Sequence, residues 1–209
     1  RYSLEAAQHL AERDVKMMVV ACNTATAAAL PVLQQRLSIP VVGVIEPGAR
    51  AAVAATTRGK IGVIATEGTV KSQAYSKAIH ALRPDAEVIE SAAPLFVPLA
   101  EEGWANTHVA REVAEIYLSP LIDAGIDTLV LGCTHYPILR GTIEKVVGER
   151  VRIVDSAETT AAVVKSLVGD SPPGTPEHHF LVTDAEDRFR RIAGSFLEQE
   201  IGRLELISF

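Results

Sequence analysis

Positive charge, sulfur and aromatic surface are all scarce in this chain, and each scarcity removes a class of function. Lys and Arg number 20 against 26 Asp and Glu, for a formal net charge of -6, and no basic run is longer than the pair Arg190 and Arg191. A surface without a basic patch does not neutralise a phosphate backbone or an anionic membrane face, so neither nucleic acid nor membrane is an expected partner. No apolar run approaches the roughly 18 residues that a bilayer span requires. Only two cysteines, Cys22 and Cys133, occur in 209 residues. So wide a spacing makes a poor disulfide framework, and a cytoplasmic protein with two thiols is the expectation. As a metal pair, Cys133 and His135 would need two or three further ligands. No second Cys-x-His and no Cys-x-x-Cys is present, so a metal is not expected.

The opening stretch RYSLEAAQHLAERD carries charge throughout, which excludes a signal peptide. Leu4, Ala7, Leu10 and Ala11 instead follow helical spacing. With neither a Met nor a strand ahead of them, the chain is expected to begin inside a domain, with an N-terminal piece missing.

Aliphatic residues dominate what remains. Hydrophobic residues make up 48% of the chain, enough at this length to bury a core without cross-links. Short apolar runs predict strands at Val15–Ala21, Val41–Ile45, Lys60–Ala65, Glu87–Ser91, Thr128–Gly132, Arg152–Val154, His179–Thr183 and Arg203–Ile207. Helix-period segments of about 10–20 residues separate most of them, the pattern of a parallel α/β fold. The uniformly apolar MMVVA and TLVLG predict burial on both faces. DSPPGTPEHH, Asp170–His179, reads as a loop.

An internal repeat organises these elements. DVKMMVVACNTATAAALPVLQQRLSIPVVGVIE and GIDTLVLGCTHYPILRGTIEKVVGERVRIVDS share one plan. Each has an acid near the start of a strand, an apolar run, a small residue, Cys and a polar pair, then a helix and a short Val/Ile strand. After that comes an acid and another helix, Glu46–Thr57 in one copy and Asp155–Leu167 in the other. Two similar parallel α/β lobes related by a pseudo-two-fold axis follow, with the active site in the cleft between them. The expected division is residues 1–45 plus 156–209 for one lobe and 46–155 for the other.

Ligands of α/β sheets bind at the carboxyl ends of strands, which is where both cysteines stand. The N-terminus of a following helix offers free N–H groups and partial positive charge, which favour thiolate. Two thiols opposed across a cleft suit the removal of a proton from one face of a carbon and its return to the other, one acting as thiolate base and the other as thiol acid. A small buried hydrophobe explains a single strand-end cysteine, but less readily one repeated at the matching place in both copies. A Cys–His nucleophile pair leaves Cys22 idle. Met17 and Met18 read simply as core.

ACNTATA, GVIATEGTVKSQAY, PLFVPLAEEG and VLGCTHYP, in this order, resemble the glutamate racemases of the cofactor-independent aspartate/glutamate racemase superfamily. The resemblance runs from Asp14 to about Ala162 and continues more loosely beyond. It implies interconversion of L- and D-glutamate, supplying D-glutamate for peptidoglycan, by a homodimer. Residue by residue, it implies Cys22 as the base toward the D-isomer and Cys133 as the base toward the L-isomer. It assigns Asn23, Thr24, Thr134 and His135 to substrate contacts, with His135 also assisting Cys133. Thr66 and Thr69 fall in the ATEGT turn, where the family holds the α-carboxylate. Glu101 matches a glutamate near the family's active site, although a solvated charge at a helix end explains it equally well. The family's Asp-Ser-Gly-x-Gly-Gly loop and Pro-Tyr-Gly segment have no counterpart here, so activity of these 209 residues alone does not follow from the motifs. Aspartate racemase is the nearest enzymatic alternative, although its second motif more often reads Gly-Cys-Thr-Glu. A clamp that binds a dicarboxylate without chemistry is the alternative from another class, and it has no use for two thiols.

Overall fold

The structure, a computed structural model, describes residues 1–169 and 177–208. In chain order the elements are α1 (Tyr2–Ala11), β1 (Met18–Val20), α2 (Asn23–Arg36), β2 (Val41–Gly43), α3 (Ile45–Ala55), β3 (Lys60–Ala65), α4 (Glu67–Ser72) and α5 (Ala74–Leu82). There follow β4 (Glu87–Ala92), α6 (Phe96–Glu101), α7 (His108–Asp123), β5 (Thr128–Gly132), a 3-10 turn (Tyr136–Leu139), α8 (Arg140–Val147) and β6 (Arg152–Asp155). The described chain closes with α9 (Ser156–Val168), β7 (His179–Val182), α10 (Glu186–Leu197) and β8 (Arg203–Leu206). Residues 170–176 of the expected loop lie outside the described residues, and His179 already belongs to β7. No described helix is long and apolar enough to cross a membrane.

Every strand pairing among the described residues is parallel. One sheet has the order β4-β3-β5-β6, while β1-β2 and β7-β8 form pairs of their own. The α/β fold read from the alternating runs is the one observed, and each predicted strand run overlaps an observed strand. In the central strand β5 all five residues are buried, and in β3 every residue after Lys60 is. Their side chains alternate between the two faces of the sheet. Leu129 and Leu131 enter a core with Phe96, Leu118, Leu121, Tyr136 and Leu139. Val130 enters another with Ile45, Ala49, Ile61, Val63, Tyr75 and Ile79. Fully burying one such Leu or Ile is worth about 1.5–3 kcal/mol, so the two-sided sheet is the rigid platform of the chain.

MMVVA behaves differently from its expected double burial. The strand is only Met18–Val20, and Val19 is 41% exposed. Its one strand neighbour among the described residues is β2, and its apolar support is the smaller cluster of Ala7, Met18, Leu33 and Val41. The acid that opens each repeat also does different work in the two copies. Asp14 is an exposed turn residue at φ 53. Asp127 is buried and its carboxylate accepts from the Thr56 hydroxyl, the Thr57 N–H and hydroxyl, the Arg58 N–H and the Thr128 hydroxyl. It pins the turn between α3 and β3 to the start of β5.

Candidate active site

The sheet register places the site. Ala65 of β3 pairs with Gly132 of β5, and Leu131 pairs with Asp155 of β6. Thr66, Cys133 and Ser156 therefore leave the carboxyl edge of the sheet side by side. Gly132 is required at this closing position: a Cβ there would lie 3.0 Å from the Ile64 carbonyl oxygen, 3.0 Å from Tyr75 Cε2 and 3.2 Å from Ala65 Cβ. Cys22 caps α2 just past β1, and Asn23 is the first residue of that helix.

Three of the expected binding residues meet as hydroxyls. Thr24 Oγ1 lies 2.8 Å from Thr66 Oγ1 and 3.0 Å from Thr69 Oγ1, and the latter two are 3.1 Å apart. Thr66 caps α4 by accepting from the Thr69 N–H. The cluster joins the first turn of α2 to the first turn of α4. Gly68 permits the approach, since a Cβ at that position would stand 3.1 Å from Thr24 Cγ2.

The run after Cys133 divides its residues between core and site. Tyr136 is fully buried, donates to the Ala93 carbonyl at 2.8 Å and stacks edge-on against Phe96. That anchor fixes the turn and leaves Thr134 exposed and His135 half-buried. His135 Nδ1 lies 3.9 Å from Cys133 Sγ and 3.3 Å from Thr134 Oγ1, while Nε2 lies 3.2 Å from Glu101 Oε1. With Nε2–H donating to the carboxylate, the Nδ1 lone pair faces the thiol, since one ring nitrogen donates and the other accepts in neutral imidazole. Glu101 is thus no solvated charge: its other oxygen takes a hydrogen bond from Arg188, and Arg191 donates to its backbone carbonyl at 3.1 Å. Phe196 packs edge-on against the His135 ring at 5.6 Å between centroids. Helix α10 therefore backs the His135–Glu101 pair, beside a cavity of about 430 Å³.

The two thiols differ in setting. Cys22 is exposed and Cys133 is 6% exposed. Burial pushes the Cys133 thiol above its ordinary pKa. The His135 N–H pulls it down, the Cys22 charge pushes it up, and the Thr134 hydroxyl and Tyr136 N–H pull down again, with burial winning. This corrects the expectation that a helix start favours thiolate at both cysteines. A turn and a 3-10 segment separate Cys133 from α8, which begins only at Arg140, so the sulfur has no α-helix N-terminus directly behind it.

Two residues in the site escape a reading of its local motifs. Tyr75 is fully buried and donates to Asn23 Oδ1 at 2.7 Å; it stands within a quoted motif, but nothing local to it points at Asn23. Arg188 carries no signal at all, because it lies 87 positions from Glu101 in the chain. The guanidinium that reaches Glu101 comes from α10. Among the described residues no group of three His, Cys, Asp or Glu is arranged to hold a metal.

A parallel α/β chain that carries a strand-end cysteine in each of two repeated units, ringed by hydroxyls and one histidine, has the architecture of the two-lobed amino-acid racemases. The Asp/Glu/Hydantoin racemase family model matches residues 2–164, and the chain belongs to that family. It is 54% identical over 213 residues to a glutamate racemase of Geobacter metallireducens, covering 100% of this chain and 79% of that protein. Glutamate racemase isoform RacE1 of Bacillus anthracis superposes with a TM-score of 0.93 at 40% identity, over 100% of this chain and 79% of that one. Glutamate racemase of Francisella tularensis, solved in complex with D-glutamate, superposes with a TM-score of 0.91 at 35% identity, over 99% of this chain and 79% of that one.

Proposed function

We propose that the chain racemises glutamate without a cofactor, using Cys22 and Cys133 as opposed base and acid. The carrying observation is the pair of thiols at strand ends, Cys22 at the N-cap of α2 just past β1 and Cys133 just past β5. A thiolate removes the α-proton, leaving a carbanion stabilised by the adjacent carboxylate. The opposite thiol returns a proton to the other face and becomes the thiolate. In this reading Cys22 is the base toward the D-isomer and Cys133 the base toward the L-isomer. Asn23, Thr24, Thr66, Thr69 and Thr134 hold the substrate's polar groups. His135 takes the Cys133 proton when that residue must act as base, and Glu101 orients the imidazole. Residues 1–45 plus 156–209 form one lobe and 46–155 the other.

Identity above 50% over the full chain to a glutamate racemase supports glutamate over aspartate, as does His135 in place of the Glu more frequent in aspartate racemases. The product supplies D-glutamate to peptidoglycan, and a homodimer in the cytoplasm is the setting the resemblance implies. Loss of circular dichroism from pure D-glutamate tests the activity, with aspartate in parallel. Decay with aspartate alone would move the assignment to the neighbouring substrate. Tight glutamate binding by the complete enzyme with no α-proton exchange would make it a clamp.

A further inference from the structure

Asn23 presents an unsolved polar group. It is 2% exposed, and its Nδ2 has no hydrogen-bond partner in the structure. A buried donor left unpaired is costly, and this one sits on the first turn of α2, between Cys22 and the Thr24–Thr66–Thr69 hydroxyl cluster. The orientation of its carboxamide is set from behind. The Tyr75 hydroxyl donates its single proton to Oδ1 at 2.7 Å, which directs Nδ2 the opposite way. Two glycines shape the slot that holds the phenol. A Cβ on Gly48 would lie 3.2 Å from the Tyr75 oxygen, and one on Gly132 would lie 3.0 Å from Cε2.

We propose that Tyr75 is a positioning residue of the site: it locks the Asn23 carboxamide so that Nδ2 is presented to a carboxylate oxygen of the bound amino acid. A carboxylate is the ligand class that fits, since it is an acceptor without protons and each neighbouring threonine hydroxyl can donate as well as accept. Tyr75 touches no substrate in this arrangement. It acts through Asn23, from helix α5 onto helix α2. The proposal rests on the racemase reading for the identity of the ligand, but the contact itself does not.

The test is a cycle of Tyr75→Phe, Asn23→Ala and the double variant, with two readouts. Tyr75→Phe keeps the ring and removes only the proton. It is expected to raise KM for glutamate about tenfold with a smaller change in kcat, the loss expected when a charge-assisted contact loses its fixed donor. In the Asn23→Ala background the same change is expected to have no further effect, because contacts that act as one unit are not additive. A merely structural Tyr75 would give losses that multiply. The second readout is the Asn23 side-chain amide in nitrogen-edited NMR, which is expected to shift on Tyr75→Phe and, in the wild type, on addition of D-glutamate. An Asn23 amide indifferent to Tyr75→Phe, or multiplicative losses, would overturn the proposal. A complete wild-type enzyme that neither binds nor racemises glutamate while its Asn23 amide still responds to Tyr75→Phe would overturn the racemase reading and leave the positioning contact standing.

Discussion

Replacing His135 with Asn separates the two directions of the proposed reaction. Burial raises the Cys133 thiol above its ordinary pKa, so at neutral pH this residue holds its proton and must lose it before it can act as a base. His135 Nδ1, at 3.9 Å from the sulfur and oriented through Nε2 by Glu101 at 3.2 Å, is the group placed to accept the thiol proton first. Asn keeps a polar side chain of similar reach but cannot accept and hold that proton. General-base assistance is worth about 10²–10⁴-fold, and the long S···N separation argues for the lower end. A loss of about 10²-fold, or roughly 2.7 kcal/mol of barrier, is therefore expected where Cys133 is the base. Where Cys133 is the acid it already holds its proton, and the loss should be under about threefold. Enantiomers are equal in energy, so the ratio of the two kcat/KM values is fixed and the asymmetry must appear in kcat or in isotope exchange. The assay is early incorporation of solvent deuterium at the α-carbon, started separately from pure L- and pure D-glutamate, with wild type alongside. Equal slowing from both enantiomers would refute the assigned role of His135.

Two further predictions concern the platform beneath the site. Burial pushes the Asp127 carboxyl upward, but the donors from Thr56, Arg58, Thr57 and Thr128 outweigh it and hold the group at about 2. Against an unfolded value near 3.9 this contributes about 2.6 kcal/mol, present above pH ~4 and lost as pH falls from about 4 to 2; denaturant unfolding at pH 6 and pH 2.5 should show the wild type losing roughly 2 kcal/mol more stability than Asp127→Asn. Gly132→Ala brings a methyl to 3.0 Å from the Ile64 carbonyl and the Tyr75 ring, so thermal unfolding should report a loss of about 1–3 kcal/mol, and an unchanged midpoint would show that the strand ends are looser than described.

The strands and the cysteine positions were legible because they depend on local pattern. Uninterrupted TLVLG reads as a strand buried on both faces, and β5 is buried throughout. MMVVA carries the same pattern, yet Val19 is exposed, because double burial depends on what a strand is packed against and its own letters do not say. The hydroxyls of Thr24, Thr66 and Thr69 were reachable through their motifs, since each sits at a helix start that its own sequence marks. Tyr75 and Arg188 were not. Their partners lie 52 and 87 positions away in the chain, and a buried Tyr or an Arg on an amphipathic helix looks locally like any other. The setting of Cys133 was half legible: its place at a strand end could be read, but the 3-10 segment that delays α8 to Arg140 comes from Tyr136 anchoring in the core, a tertiary effect.

The proposed two-thiol mechanism is most directly tested by following racemisation of D-glutamate by circular dichroism in Cys22→Ser, Cys133→Ser and the double variant. A hydroxyl at either position neither ionises near neutral pH nor leaves the opposite thiol able to finish the exchange alone. Each single variant is therefore predicted to lose at least about 10³-fold in kcat, and the double variant little more, because residues acting as one unit are not additive. Activity near the wild-type level in either single variant would contradict the mechanism.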